Sequence, residues 1–179
     1  MATERTALFM FFWGTGDLAY RKLYPSLFNL YRKGNLRTHF AVIGTSSQSI
    51  DDDKFRAAVK KSLADSGNRA DSKEASDFIS HFYYQSHDVT DTAHYSVLKE
   101  LAEKLDKKYK LQGNRIFYLS MAPQFFGTIA QDLKTQGLMS TDKDAFNRLV
   151  IEKPFGRDFD SAKQLNDALS KSFEEEQIF

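Results

Sequence analysis

The sequence predicts an α/β fold: a doubly wound, mainly parallel sheet with helices on both faces. Three observations predict it. Short apolar runs of strand length alternate with longer amphipathic stretches along all 179 residues. The first run, Ala7–Trp13, is apolar throughout, as a strand buried on both faces must be. It ends in a glycine turn, Gly14-Thr15-Gly16, that opens directly onto a helical pattern. Strand–helix alternation of this kind builds a parallel sheet flanked by helices, with right-handed crossovers.

The elements follow in order. Leu18, Leu23, Leu27, Leu30 and Tyr31 recur at helical spacing from Leu18 to Lys33, and Gly34 supplies a stop. Pro25 lies inside that pattern and predicts a kink near the second turn. Phe40–Thr45 reads as the second strand, followed by a polar turn over Ser46-Ser47-Gln48-Ser49. Asp51–Ala64 is helical, with Asp51 to Asp53 at its positive end. Ser66–Lys73 reads as loop, Glu74–His81 as a short helix, Phe82–Ser86 as strand and Asp91–Tyr109 as a long helix. Arg115–Leu119 and Leu149–Ile151 are further strands, with a helix near Gln124–Gln136 between them and a last one over Asp160–Glu174. No internal repeat interrupts the pattern. At the end, Gln177-Ile178-Phe179 follows an acidic helical surface without a cap, read either as a frayed terminus or as the edge of a further domain.

Composition narrows the function. With 25 basic and 24 acidic residues the net charge is +1, so the chain lacks the basic bias of a nucleic-acid or membrane-surface binder. It has no cysteine, which excludes a disulfide framework and a cysteine metal site, and no metal site is expected. The 41% hydrophobic content supports one core. The run at 7–13 is too short for export or for spanning a bilayer, and the expected location is cytoplasmic.

The glycine turn carries the chemistry. A strand that ends in glycines and opens a helix puts backbone N–H groups and the positive helix end where a phosphate can sit, the arrangement of a Rossmann-like dinucleotide-binding unit. Of the three small-residue positions in that fingerprint, Trp13 takes the first, and Gly16 and Ala19 take the others. Asp17 is placed to cap the helix through its carboxylate. Lys153 precedes Pro154, which holds it out of helical geometry at a strand end, where ligands bind in such sheets.

Three segments extend this reading. Gly14-Thr15-Gly16-Asp17-Leu18-Ala19 followed by Arg21-Lys22-Leu23-Tyr24-Pro25, then Tyr118-Leu119-Ser120-Met121-Ala122-Pro123, then Ile151-Glu152-Lys153-Pro154-Phe155-Gly156, resemble in order and spacing the motifs of the glucose-6-phosphate dehydrogenase family. The similarity covers essentially the whole chain and is greatest to the type found in lactic-acid bacteria. The resemblance implies that residues 1–179 form the N-terminal cofactor-binding domain, with the larger substrate domain outside this chain. The family reaction moves hydride from C1 of glucose 6-phosphate to NADP or NAD, the first oxidative step of the pentose phosphate pathway. By resemblance Gly14, Thr15, Gly16, Asp17, Leu18, Ser47, Gln48 and Lys153 line the cofactor, and Lys22 and Lys153 reach the substrate. The family's catalytic histidine has no equivalent among His39, His81, His87 and His94, so Lys22 is at most a supporting group and turnover by the chain alone is expected to be negligible.

Three positions depart from the family pattern: Trp13 for a small residue, Tyr20 for a basic one, and Ser47 for the arginine that grips the adenosine 2′-phosphate. Losing such a charge-assisted pair costs roughly 1.5–3 kcal/mol, or about one to two powers of ten in affinity. Together they predict relaxed or altered cofactor selection. A non-catalytic nucleotide-binding or protein-interaction module is therefore a second reading, and the apolar Ile178-Phe179 end is a candidate surface for self-association.

Overall fold

The five strands are β1 (Ala7–Phe12), β2 (Phe40–Ser46), β3 (Phe82–Ser86), β4 (Arg115–Leu119) and β5 (Asn147–Ile151). In the computed structural model, which describes residues 6–36, 38–152 and 158–179, they form one sheet in the order β3-β2-β1-β4-β5. Every pairing is parallel, with Phe12 opposite Thr45 on one side and Leu119 on the other. The chain moves outward from β1 to β3, then returns across β1 to place β4. This reversal makes the crevice between β1 and β4 the topological switch point, where ligands of open α/β sheets bind. The predicted fold is the one observed.

Each strand alternates its side chains between two cores. Leu8, Met10, Phe12, Ala41, Ile43, Phe117, Leu119 and Leu149 face α4 (His94–Tyr109), α5 (Phe126–Thr135) and α6 (Phe159–Ser170). Phe11, Phe40, Val42, Phe82 and Tyr84 face α1 (Tyr24–Arg32), α2 (Asp52–Asp65) and α3 (Lys73–Ile79). The first core is mostly aliphatic. The second is a lattice of rings, in which Tyr24 meets Phe11, Phe55 and Phe82 edge-on at 5.3–5.9 Å.

Local chemistry explains where the boundaries moved. Before α1 the helix widens into a π-helical turn over Ala19–Leu23, and the Tyr24 N–H reaches back five residues to the Ala19 carbonyl. Pro25 sits at the second position of α1, so its missing N–H falls next to a turn that has already changed register; a π-helical turn stands where the kink was expected. The start of α4 moves from Asp91 to His94, because Asp88 accepts from Thr90 and Asp91 from the Ala93 N–H at 3.0 Å, fixing turns that compete with the helix. Asp51 and Ser72 cap α2 and α3 by accepting from Lys54 and Ala75 N–H groups. The last helix ends at Ser170 rather than Glu174, since the following turn buries Phe173 against Phe117.

The terminal residues are not frayed. Phe179 donates its N–H to the Leu149 carbonyl at 2.8 Å and accepts from Ile151 at 3.0 Å, a parallel addition to the edge of β5. Among the described residues, no helix is long and apolar enough to cross a membrane, and no group of acidic or histidine side chains is arranged to hold a metal ion.

Candidate functional site

The glycine turn stands at the carboxyl end of β1, on the switch point. Its first residue, Trp13, has φ +68°, a left-handed backbone in which a bulky side chain is strained and glycine is at ease. Gly14 follows, buried, donating to the Thr45 carbonyl at 2.9 Å and accepting the Tyr24 hydroxyl at 2.6 Å. A Cβ on Gly14 would lie 2.9 Å from the Gly44 Cα and 2.9 Å from the Tyr24 hydroxyl. β2 and α1 crowd Gly14, so the packing by itself demands a glycine there, beside any role in the turn's approach to a phosphate. Gly16 is different: it is half-buried, and a Cβ there would meet the Trp13 indole, 2.5 Å from Cδ1. The space left by the missing Cβ of Gly16 is filled by the chain's own ring.

Thr15 begins a polar relay across the strand ends. Its hydroxyl donates to Ser46 Oγ at 3.0 Å, Ser46 Oγ lies 2.7 Å from the Tyr84 hydroxyl, and Tyr84 donates to the Gln48 carbonyl at 2.5 Å. Burial on the sheet raises the Tyr84 hydroxyl's pKa above its ordinary value, so it stays a donor. Ser47 and Gln48 are exposed at the end of β2, with neutral side chains only. Asp17 does not cap: its carboxylate pairs with Arg21 one helical turn on at 2.9 Å, because the turn's own carbonyls already anchor the helix start. Leu18 is half-buried beside it, and Lys22 is exposed on the π-helical turn. Lys153, with the rest of Lys153–Arg157, lies outside the described residues.

Behind Trp13 is a pocket of about 250 Å³ between the ends of β1, β2, β3 and β4, walled by Phe12, Thr45, Ser47, His87, Met121 and Phe125. Among the described residues, two polar side chains in its walls have no hydrogen-bond partner: the Thr45 hydroxyl and both ring nitrogens of His87, on residues 1% and 2% exposed. Burial, with His94 adding to it, pushes the His87 pKa down to about 4, so at neutral pH the ring offers one donor and one acceptor. Tyr95 meets that ring edge-on at 4.4 Å and Phe12 at 6.1 Å. A larger groove of about 1140 Å³ runs between α5 and α6, but no residue of the glycine turn borders it.

The three departures do not form one site. Trp13 and Ser47 share the pocket, whereas Tyr20 turns back toward the aromatic core, packing on Tyr24 at 5.7 Å. Burial pushes its hydroxyl up to about 12. Sequence reasoning missed Thr45, Ser46, Tyr84 and His87 as site residues; the alternation of β2 and β3 gives their faces, but only the strand order brings them beside the turn. Ser120, in the second motif, ties the end of β4 to that of β1 by donating to the Phe12 carbonyl at 2.8 Å.

The backbone therefore fits a nucleotide: a helix opening after a glycine turn, a small pocket, and unpaired hydrogen-bonding groups in its wall. One side chain in its present position does not, since Trp13 stands where a phosphate would approach Gly16.

Comparison with known proteins agrees with this geometry. Residues 10–179 match the family model for the glucose-6-phosphate dehydrogenase NAD binding domain. The chain is 51% identical over 179 residues to glucose-6-phosphate 1-dehydrogenase of Leuconostoc mesenteroides, all of this chain against 36% of that protein. The relative from Streptococcus pneumoniae is 53% identical over 94% of this chain and 33% of its own length. A solved structure of glucose-6-phosphate dehydrogenase in complex with its substrate glucose-6-phosphate superposes over the whole chain with a TM-score of 0.86 at 29% identity, covering 37% of that structure's chain. A crystal structure of the Mycobacterium avium enzyme gives 0.80 at 32% identity, over 97% of this chain and 35% of that one. The chain spans about a third of the length of the relatives it matches. Fold, turn and comparisons converge: this chain belongs to the glucose-6-phosphate dehydrogenase family, as its NAD-binding domain.

Proposed function

We propose that this chain supplies the nicotinamide-dinucleotide site of a glucose 6-phosphate oxidation, in which hydride leaves C1 of the sugar for NADP or NAD. The observation that carries the reading is the glycine turn at the switch point, backed by a polar relay from Thr15 to Gln48. When bound, the cofactor supplies the hydride acceptor. The chain's own contribution is binding and orientation. The helix opening at Asp17 holds the pyrophosphate, Thr15 adds a hydroxyl, and Ser47 and Gln48 address the ribose without a cation for a 2′-phosphate. Discrimination between NADP and NAD is accordingly weak. Lys22 and Lys153 serve the sugar phosphate in the complete protein, as the family resemblance implies.

The chain alone is expected to turn over negligibly, because the base that takes the C1 hydroxyl proton belongs to a substrate domain that pairs with this one in the complete enzyme. A purified-chain assay of glucose-6-phosphate-dependent NADP or NAD reduction tests this, and robust rates overturn it. A second reading, a non-catalytic nucleotide-binding or interaction module acting in the cytoplasm, is favoured by the Trp13 indole at Gly16. Titration with NADP, NAD and adenosine phosphates separates the two: micromolar dinucleotide binding supports the cofactor site, and no binding to any nucleotide supports the interaction module. Sedimentation with and without ligand tests self-association through the Ile178–Phe179 edge.

A further inference from the structure

The Trp13 ring occupies space that the phosphate turn would otherwise leave open. Gly16 is half-buried and lacks a Cβ; its Cβ position lies 2.5 Å from Trp13 Cδ1 and 3.2 Å from Nε1. Trp13 is 44% exposed, with its indole against Gly16 on one side, and it also forms the rim of the 250 Å³ pocket. Its backbone, at φ +68°, is held by its carbonyl, which accepts from the Gly16 N–H at 3.0 Å and the Ser120 hydroxyl at 3.4 Å. Among the described residues nothing hydrogen-bonds the side chain, and rotation about its own bonds frees the turn without breaking either hydrogen bond. The pocket behind the ring is different, because its walls at Thr45 and His87 are reached without touching Gly16.

We propose that Trp13 is a displaceable plug that selects against phosphate-bearing ligands: the indole lies on Gly16 in the resting chain, and a nucleotide phosphate binds only after the ring swings into solvent. The inference rests on the nucleotide-binding reading above. An unphosphorylated nucleoside needs the pocket and not the turn, and meets the ring only at the pocket's rim, away from Gly16. The selectivity comes from a population: if the ring covers Gly16 about 90% of the time, phosphate-bearing ligands bind about tenfold more weakly than the open turn allows.

Trp13 is the sole tryptophan of the chain, so its emission reports on this one position. The test titrates NADP, ADP and adenosine against the wild type by tryptophan fluorescence. The same ligands are then titrated calorimetrically against wild type, Trp13→Gly and Trp13→Ala, with thermal melts to establish that both variants fold. The expected result is a change in emission with NADP and ADP, a roughly tenfold or greater gain in affinity for both in the variants, and adenosine affinity unchanged within about twofold. NADP and ADP bound equally by wild type and both variants, or bound more weakly by the variants, overturns the plug while leaving the nucleotide site standing. Equal gains for adenosine and ADP also overturn it, since the ring would then be obstructing the pocket rather than the phosphate. If no variant binds any of the three ligands, the nucleotide reading fails and the plug with it.

Discussion

The two faces of the sheet treat their polar groups differently where they reach the carboxyl edge. On the aromatic face, the hydroxyls of Tyr24 and Tyr84 both find acceptors, at Gly14, Ser46 and Gln48. On the aliphatic face, the Thr45 hydroxyl and the His87 ring are just as buried and have no partner among the described residues. A buried polar group without a hydrogen bond costs about 1–3 kcal/mol, so the second face is strained relative to the first. The difference separates scaffold from site. The satisfied face fixes the glycine turn in space, and the unsatisfied face borders the pocket that a ligand would complete.

The largest test of this contrast is Phe55→Ala. Phe55 is fully buried in the aromatic lattice, with its ring against Gly44, Tyr24, Phe82 and Tyr84. Its truncation is expected to cost about 3–5 kcal/mol in denaturant unfolding. A loss near 1 kcal/mol would mean that the aromatic face is not the scaffold.

Acid probes the other face. The unfolded chain protonates His87 near pH 6.5 and the folded chain only near pH 4, so its contribution is intact above about pH 6.5 and is lost as pH falls toward 4. About 3 kcal/mol is at stake at most, and Asp88, Asp91 and His94 act on the same ring. His87→Leu should flatten the stability profile over that window by a comparable amount. An unchanged slope would place the acid sensitivity elsewhere.

Two hydroxyl deletions then sharpen the comparison. Tyr24→Phe leaves the buried Gly14 carbonyl without its donor and is expected to cost about 1–3 kcal/mol, and to weaken nucleotide binding through the turn. Thr45→Val removes an unpaired hydroxyl at nearly constant shape, so its stability should change by less than about 0.5 kcal/mol or rise. Equal losses from both, measured by urea unfolding, would erase the distinction between the faces.

Much of the fold was legible in the sequence. Ala7–Trp13 announced a buried strand by continuous apolarity, and Gly14 to Gly16 a turn, because both signals are local. What failed was directional. Pro25 marks a disturbance, but whether a helix kinks or widens into a π-turn depends on what α1 packs against. Tyr20 stood in sequence beside the cofactor turn, yet the widened turn and the Tyr24 ring take it to the other core. His87 and Thr45 had no local signal at all, since they become neighbours of Trp13 only through the strand order. The packing demand on Gly14 had no local signal either, because its partner, Gly44, is thirty residues away in the chain.

That last contact ties the tuning of the site to the evolution of the core. Gly14 lies against Gly44, and Gly44 lies against the Phe55 ring, where a Cβ would approach to 2.4 Å. The two glycines form a joint of bare backbone with no side chain to cushion it. A substitution that swells or shrinks the ring lattice is passed directly to the position of the glycine turn. Libraries aimed at changing cofactor preference therefore have a second place to search: Phe55 and Phe82, buried in the ring lattice, set the height of the surface beneath the turn.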